Sequence, residues 1–365
     1  MRSTNSPRSP RPGAHRRALP VVLLATGLLV AACGGGDSKG ADTTGSSTTT
    51  ESTVPETTEA SSTTEEATTT TETPAPTWPL TGMPLDDPAA AQHPAVVVKV
   101  GNYDRHPQRG SATADIIYEE IINANVSRFA FVYHSRSASE VGPIRSGRRQ
   151  DVDLLGSLNK PVFAWAGGNK TVTKEIQSSD LVDLSQFKCK GSCYRSGDDR
   201  PVEFTLMFNV DKVFAMTFDT AGIPAPQFTY RSIDAAMPGK PSAGVALNMD
   251  SYNIDWTWNA TNGTYERVQN GRPDKDKDGT LMTTNNVVVL EMVYLPGISG
   301  SPDAQSTGKG EAWVFSGGSV QHGNWARKDR TLPFTLTSDD GDVMTLLPGR
   351  TFIELPRDGN TLPKP

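Results

Sequence analysis

The run Gly142-Pro-Ile-Arg145-Ser-Gly-Arg148-Arg149 brings three guanidiniums, two glycines and a hydroxyl into eight residues. Arginine grips carboxylate or phosphate through two parallel N–H bonds, so this composition points to anion binding. Placed after a strand and at the opening of a helix, the run would add free backbone N–H groups and a positive dipole end. Arg145 and Arg148, three apart, would then share one helical face. The expected ligand-binding set is Arg145, Arg148, Ser146 and Gly142. The competing reading pairs these arginines with Asp115, Glu119, Glu120 or Asp153 to hold the fold.

Three further patterns could carry chemistry. Asp115 and Glu119, four apart on an expected helix, would form a general acid/base pair for glycan hydrolysis if they reached one cleft; otherwise they are a solvated face or arginine partners. Asp274-Lys-Asp276-Lys-Asp278-Gly279 copies the first half of a calcium loop, with acids at positions 1, 3 and 5 and glycine at 6. Position 12 is Asn285 where a bidentate acid is expected, so the choice lies between a weak calcium site and a charged hairpin. Gly167-Gly-Asn-Lys170 lacks the spacing of a phosphate loop and reads as a tight turn. No Gly-x-Ser-x-Gly is present, and nothing in sequence near His134 or His322 suggests a nucleophile.

The cysteines number three. Cys33 follows five arginines and an apolar run, residues 18–32, that ends in Val30-Ala-Ala. About fifteen apolar residues suit a signal peptide and fall short of the ~20 needed to span a bilayer. Small residues before Cys33 match a bacterial lipobox, so Cys33 is the expected lipidation site. Acylation there would anchor the chain on the outer face of the cytoplasmic membrane, each buried CH₂ adding about 0.8 kcal/mol. Cys189 and Cys193, close together in an extracytoplasmic chain, are expected to form a disulfide.

The elements that must position these residues follow from composition and periodicity. Residues 1–32 read as the lipoprotein signal and 33–77 as a Thr/Ser/Glu-rich tether, expected to be disordered because it carries no aromatic residue and little apolar surface. The net charge is −6. Setting aside the five leader arginines, Lys39 and the tether's eight acids leaves the remainder near −4, the wrong sign for nucleic acid. From residue 95, β-branched runs alternate with helical stretches, which predicts an α/β domain over 78–238 with a mostly parallel sheet. Helices are expected from Ser111 or Thr113 through Ile122, over 144–158, and after Asn169. A smaller β-rich domain is expected over 239–356, with a hairpin across 339–342 and a tail over 357–365.

Several stretches together resemble a known family. Trp78-Pro-Leu-Thr-Gly-Met-Pro84, Pro94-Ala-Val-Val-Val, Ala114-Asp-Ile-Ile-Tyr-Glu119, Ser127-Arg-Phe and the arginine run are similar to the YerB-type lipoproteins, which carry paired DUF3048 domains. Asn286-Val-Val-Val, Gly310-Glu-Ala-Trp-Val-Phe and Pro348-Gly-Arg-Thr-Phe-Ile-Glu354 extend the likeness to the C-terminal half. The chain departs from the family at Trp165, where a histidine is usual, and at Pro201-Val-Glu-Phe-Thr. The resemblance implies a two-domain lipid-anchored protein and supplies no reaction. Three functions remain: binding of an anionic wall or lipid-linked ligand, glycan hydrolysis through Asp115 or Glu119, or docking of an envelope protein partner through exposed aromatics such as Trp256, Trp258 and Trp325.

Overall fold

The computed structural model describes residues 75–365; Cys33 and nearly all of the expected tether lie outside them. An 11-stranded sheet forms the frame. The N-terminal half supplies β1 (Val96–Gly101), β2 (Ile116–Ile122), β3 (Val126–Tyr133), β4 (Val162–Ala164) and β5 (Val182–Asp183). A second sheet contains β6 (Gly244–Met249), β7 (Tyr252–Asn259) and β8 (Thr264–Gln269). Then come β9 (Asn286–Leu290), β10 (Gly308–Ser316), β11 (Ser319–Arg327), β12 (Thr335–Ser338) and β13 (Thr351–Leu355), all in the large sheet, and β14 (Thr361–Lys364) in the second. The large sheet runs β12-β11-β10-β9-β13-β2-β3-β1-β4-β5, and the two-residue strand Lys240–Pro241, paired with β11, is its eleventh. Strand β13 returns from the C-terminus to lie parallel between β9 and β2, so both halves share one sheet.

The expected mostly parallel sheet is corrected here: the large sheet is mixed, with antiparallel pairs in the majority, and the second is antiparallel throughout. Also corrected is the expected helix over residues 113–122, which is strand β2. Its run Ile-Ile-Tyr-Glu-Glu-Ile-Ile is apolar on both faces because the second sheet covers one and helices the other. Ile117 and Ile121 face the second sheet with Trp256, and Ile116 and Tyr118 face the helices with Leu154 and Ile176. Helix α1 is short, Arg149–Leu154; α2 spans Lys170–Ser178 with Asn169 as N-cap, and α3 spans Val210–Phe214.

Trp256 and Trp325 are buried, each donating its indole N–H inward, to Glu354 Oε1 (2.8 Å) and the Glu291 carbonyl (3.0 Å). The expectation that they form an exposed docking surface is corrected accordingly. Cys189 and Cys193 form the expected disulfide.

Candidate functional site: an arginine cluster without carboxylate partners

Strand alternation sends neighbouring charges to opposite faces. On β2, Glu119 faces the second sheet and Glu120 faces the helices. Lys99, on β1, shares the face of Glu120: its ammonium contacts Glu120 and lies 2.7 Å from Asp151 Oδ1 in α1, with all three side chains buried. Arg128 on β3 sits directly across from Glu120 in the β2–β3 register, which places it beside this group. Burial and the Asp151 charge push Glu120 up to about 7.

The arginine run approaches from the next segment. Residues 143–145 lie along the end of β1: Gly101 N–H donates to Pro143 O (3.1 Å), Arg145 N–H donates to Lys99 O (2.8 Å), and Ala166 N–H to Arg145 O (2.9 Å). The expectation that Arg145 and Arg148 share a helical face is corrected. Arg148 is the extended N-cap of α1, with φ −129°, and the helix begins one residue later. Asp151 Oδ2 accepts the Arg148 backbone N–H at 2.6 Å, which fixes that start. Gly147 favours close approach, because a Cβ there would meet Ile176 Cδ1 at 2.5 Å and force that side chain to shift.

Three guanidiniums thereby gather on neutral partners. Arg128 Nη1 donates to Ser146 O at 2.8 Å. Arg148 donates to Gly147 O (3.0 Å) and Asn123 Oδ1 (2.7 Å). Arg145 donates to Glu203 O (2.7 Å) and the Tyr103 hydroxyl (3.2 Å), with its guanidinium 5.3 Å from the Tyr103 ring and 4.9 Å from that of Phe204. Among the described residues none of the three has a carboxylate within 4.0 Å, whereas Arg109, Arg149, Arg200, Arg267, Arg330 and Arg357 each have one. The Nε atoms of Arg128 and Arg145 are enclosed without a partner.

The electrostatics agree with the geometry. Burial, then the charges of Arg148 and Arg145, bring Arg128 down to about 10. Burial likewise lowers Arg148. Tyr103 would be raised by its burial, but the Arg128 and Arg145 charges outweigh that and hold the phenol below its usual value. Beside Arg148 opens a cavity of about 270 Å³ lined by Asn123, Ser146, Gly168, Asn169 and Ser299. The N-terminus of α2 meets it at Asn169, whose amide caps Val172 N–H (2.9 Å) and bonds Ser299 Oγ (2.6 Å). A helix start and a guanidinium on one cavity are groups suited to an anion.

The remaining expected residues go elsewhere. Gly142 pairs with Arg109 across an isolated bridge, away from this cavity. The Asp115 carboxylate accepts the backbone N–H groups of His134 (2.7 Å) and Ser135 (2.6 Å) and the Ser135 hydroxyl (2.5 Å). Glu119 accepts from Arg267 Nη2 (2.5 Å), Ser127 Oγ (2.5 Å) and Asn102 Nδ2 (3.0 Å). Four residues of extended chain hold Asp115 and Glu119 roughly 13 Å apart, and both are buried. Glu119 pairs in register with Glu354, and burial and the Glu119 charge push Glu354 well above the ordinary carboxylate range. In the acidic loop Asp274 binds Arg267, Asp276 Oδ2 accepts Ser111 N–H (2.9 Å) and Asp278 Oδ1 accepts Thr280 N–H (2.9 Å). The three diverge, and no group of three or more acids, histidines or cysteines is arranged to hold a metal among the described residues.

Arg128, Tyr103 and Lys99 were not singled out from sequence. The available signal was a lone cation inside an apolar strand: Lys99 within a valine run, and Arg128 heading Phe-Ala-Phe-Val-Tyr. Such a charge is buried and must be paired or serve a ligand.

Residues 80–223 match the N-terminal domain, and residues 245–353 the C-terminal domain, described as "Protein of unknown function (DUF3048)". YerB of Bacillus subtilis (strain 168), whose name marks it as a candidate lipoprotein, is 22% identical over 291 residues, covering 77% of this chain and 86% of that protein. The crystal structure of B. subtilis YerB shares the fold, with a TM-score of 0.69 at 19% identity over 79% of this chain and 99% of that one. With both domain matches in order and together spanning more than half of its length, the chain belongs to the DUF3048 family.

Proposed function

We propose that this is a lipid-anchored cell-envelope protein that binds an anionic wall or lipid-linked ligand through Arg128, Arg145 and Arg148. The observation that carries this reading is that three neighbouring guanidiniums rest on neutral acceptors, with no carboxylate in contact among the described residues, and that one of them, Arg148, lines a polar cavity. Clustered cations repel, and an anion bridging them would relieve that repulsion. Ser146 adds a hydroxyl at the cavity and Gly147 lets the backbone pass close to α2.

The rest of the reading concerns address. Residues 1–32 act as the signal, Cys33 takes the lipid, and 33–77 lifts the 78–238 and 239–356 regions off the outer face of the membrane. The name of the B. subtilis relative supports this. The test is melting of the full chain with inorganic phosphate, glycerol 3-phosphate or a galacturonate disaccharide, against neutral glycerol. A ligand at ~100 times its Kd adds about 2.7 kcal/mol, a shift of several degrees. Stabilisation by an anion that disappears in Arg145→Ala/Arg148→Ala supports the site. Equal response of wild type and double variant to every anion removes it.

A further inference from the structure

A second cavity, of about 450 Å³, lies between residues 109–113, the 137–140 segment, α3 and the loop carrying Asp276 and Asp278. Its charge is opposite to that of the arginine site. Four acids line it: Glu140, Asp211, Asp276 and Asp278. The cation on its wall, Arg109, is already engaged, donating to Asp198 (2.7 and 3.0 Å) and lying 3.2 Å from Glu140. That leaves Asp211, Asp276 and Asp278 without a cation. Asp211 accepts the Ser137 hydroxyl (2.5 Å).

Asp276 is the informative residue. It is 5% exposed; its Oδ2 accepts the Ser111 backbone N–H, while Oδ1 is enclosed with no partner. On the same wall the Thr113 hydroxyl is also enclosed without a partner. A buried carboxylate oxygen lacking a donor is costly, and the cost is removed when a charged donor arrives. Burial, with Asp278 and Asp274 adding their charges, pushes Asp276 up to about 6, so it is still mostly ionised at neutral pH.

The occupant must supply donors and positive charge. A bare metal ion fits poorly, since the acids do not converge on a point, and the space exceeds what an ion needs. Ala112, Ala138 and Gly110 also line the cavity and add apolar surface to it. A primary ammonium has three donors and no acceptor, and its alkyl stem packs on apolar surface. We infer that this cavity binds a primary ammonium carried on a short alkyl chain, with Asp276 as its acceptor and Asp278 adding negative charge at the rim. A lysine-type side chain and a free aliphatic diamine share that chemistry. This site does not depend on the arginine reading.

The experiment is melting of the full chain with 1,5-diaminopentane, Nα-acetyl-lysine amide, Nα-acetyl-norleucine amide or calcium chloride, in wild type, Asp276→Asn and Asp278→Asn. At least one amine is expected to raise the melting temperature while the norleucine derivative does not. A response to the diamine alone identifies a free amine as ligand, and a response to the lysine derivative alone identifies a peptide; each supports the site. Asp276→Asn is expected to weaken binding about tenfold or more, and to be more stable than wild type without ligand. Asp278, exposed at the rim, provides the second variant if Asp276→Asn fails to fold, and its substitution is expected to weaken amine binding a few-fold. Stabilisation by calcium and not by amines, no response to any amine, or a response unchanged in the aspartate variants would overturn the inference.

Discussion

Replacing Arg148 with glutamine is expected to leave the unliganded protein about as stable as wild type, even though Arg148 is well packed. Ser146 O accepts from Arg128 Nη1 at 2.8 Å and from Arg148 Nη1 at 3.4 Å. The two nitrogens are therefore at most about 6 Å apart, and two unit charges at that separation and an effective dielectric of ~20 repel by about 2.8 kcal/mol. Solvent at the cavity mouth reduces this to ~1–2 kcal/mol. Against it stand the bonds to Gly147 O and Asn123 Oδ1, worth about 1 kcal/mol each, of which the glutamine amide restores one. Asp151 and Glu120 also attract Arg148, and Lys99, in contact with both, offsets part of that attraction. The net change falls within about 1 kcal/mol of zero, no more than about 4 °C in melting temperature.

The assay is thermal and urea unfolding in low-salt chloride and in phosphate at matched ionic strength. In chloride the two proteins should melt within about 4 °C of each other. In phosphate the wild type should gain more than the variant. Arg267 provides the contrast, as a buried arginine that does hold carboxylates, Glu119 and Asp274; removing such a partner costs about 3–5 kcal/mol. If Arg148→Gln loses that much in chloride, and phosphate and chloride act alike, the guanidinium is a structural tie and the ligand reasoning is refuted.

Three other perturbations test the surrounding frame. Glu120 is pushed up to about 7, against about 4.3 in the unfolded chain. The native state thus holds the extra proton between those values, so this contribution is full below pH ~4 and is lost as pH rises through ~7, by at most about 3–4 kcal/mol. Urea unfolding should show higher stability at pH 5 than at pH 8, and Glu120→Gln should flatten part of that slope. Lys99→Met leaves Glu120 and Asp151 buried together without their cation, with an expected loss of about 3–5 kcal/mol in urea unfolding; a loss under ~1 kcal/mol would show the pair to be dispensable. Cys33→Ala should move the protein from the membrane to the soluble fraction on cell fractionation, and retention in the membrane would remove the lipid anchor.

What was legible in the sequence had short-range causes. The helix opening after Asn169, the β-branched runs that begin at residue 95, and the disulfide between close cysteines were each specified by neighbours in the chain. The arginine run was read as an anion-binding composition with the geometry of a helix face, and that geometry is not the one it adopts. What failed was β2: Ile-Ile-Tyr-Glu-Glu-Ile-Ile fits a broad helical stripe and a strand buried on both faces equally well, because periodicity cannot separate the two in so short a run. That one ambiguity carried the sheet with it. As a helix, β2 would have left β1 and β3 to pair with parallel neighbours. As a strand it pairs antiparallel to β3 and accepts β13 from the far end of the chain.

The same ambiguity decided the fate of the carboxylates. On a helix, Asp115 and Glu119 would share a face and Glu119 and Glu120 would lie about 100° apart, so all could serve one cleft. On a strand, adjacent residues point to opposite faces, so Glu119 goes to Arg267 and Glu120 to Lys99, in two separate layers. With Lys99 holding Glu120 and Asp151, the acids nearest the arginine cluster are already bound. Arg128, Arg145 and Arg148 are therefore left to neutral acceptors by the register of a single strand, so the anion site proposed above rests on the sheet rather than on the arginine motif alone. It also follows that a variant disturbing the β1–β2–β3 register should abolish anion binding even with every arginine in place, whereas substitutions on the outer face of α2 should not.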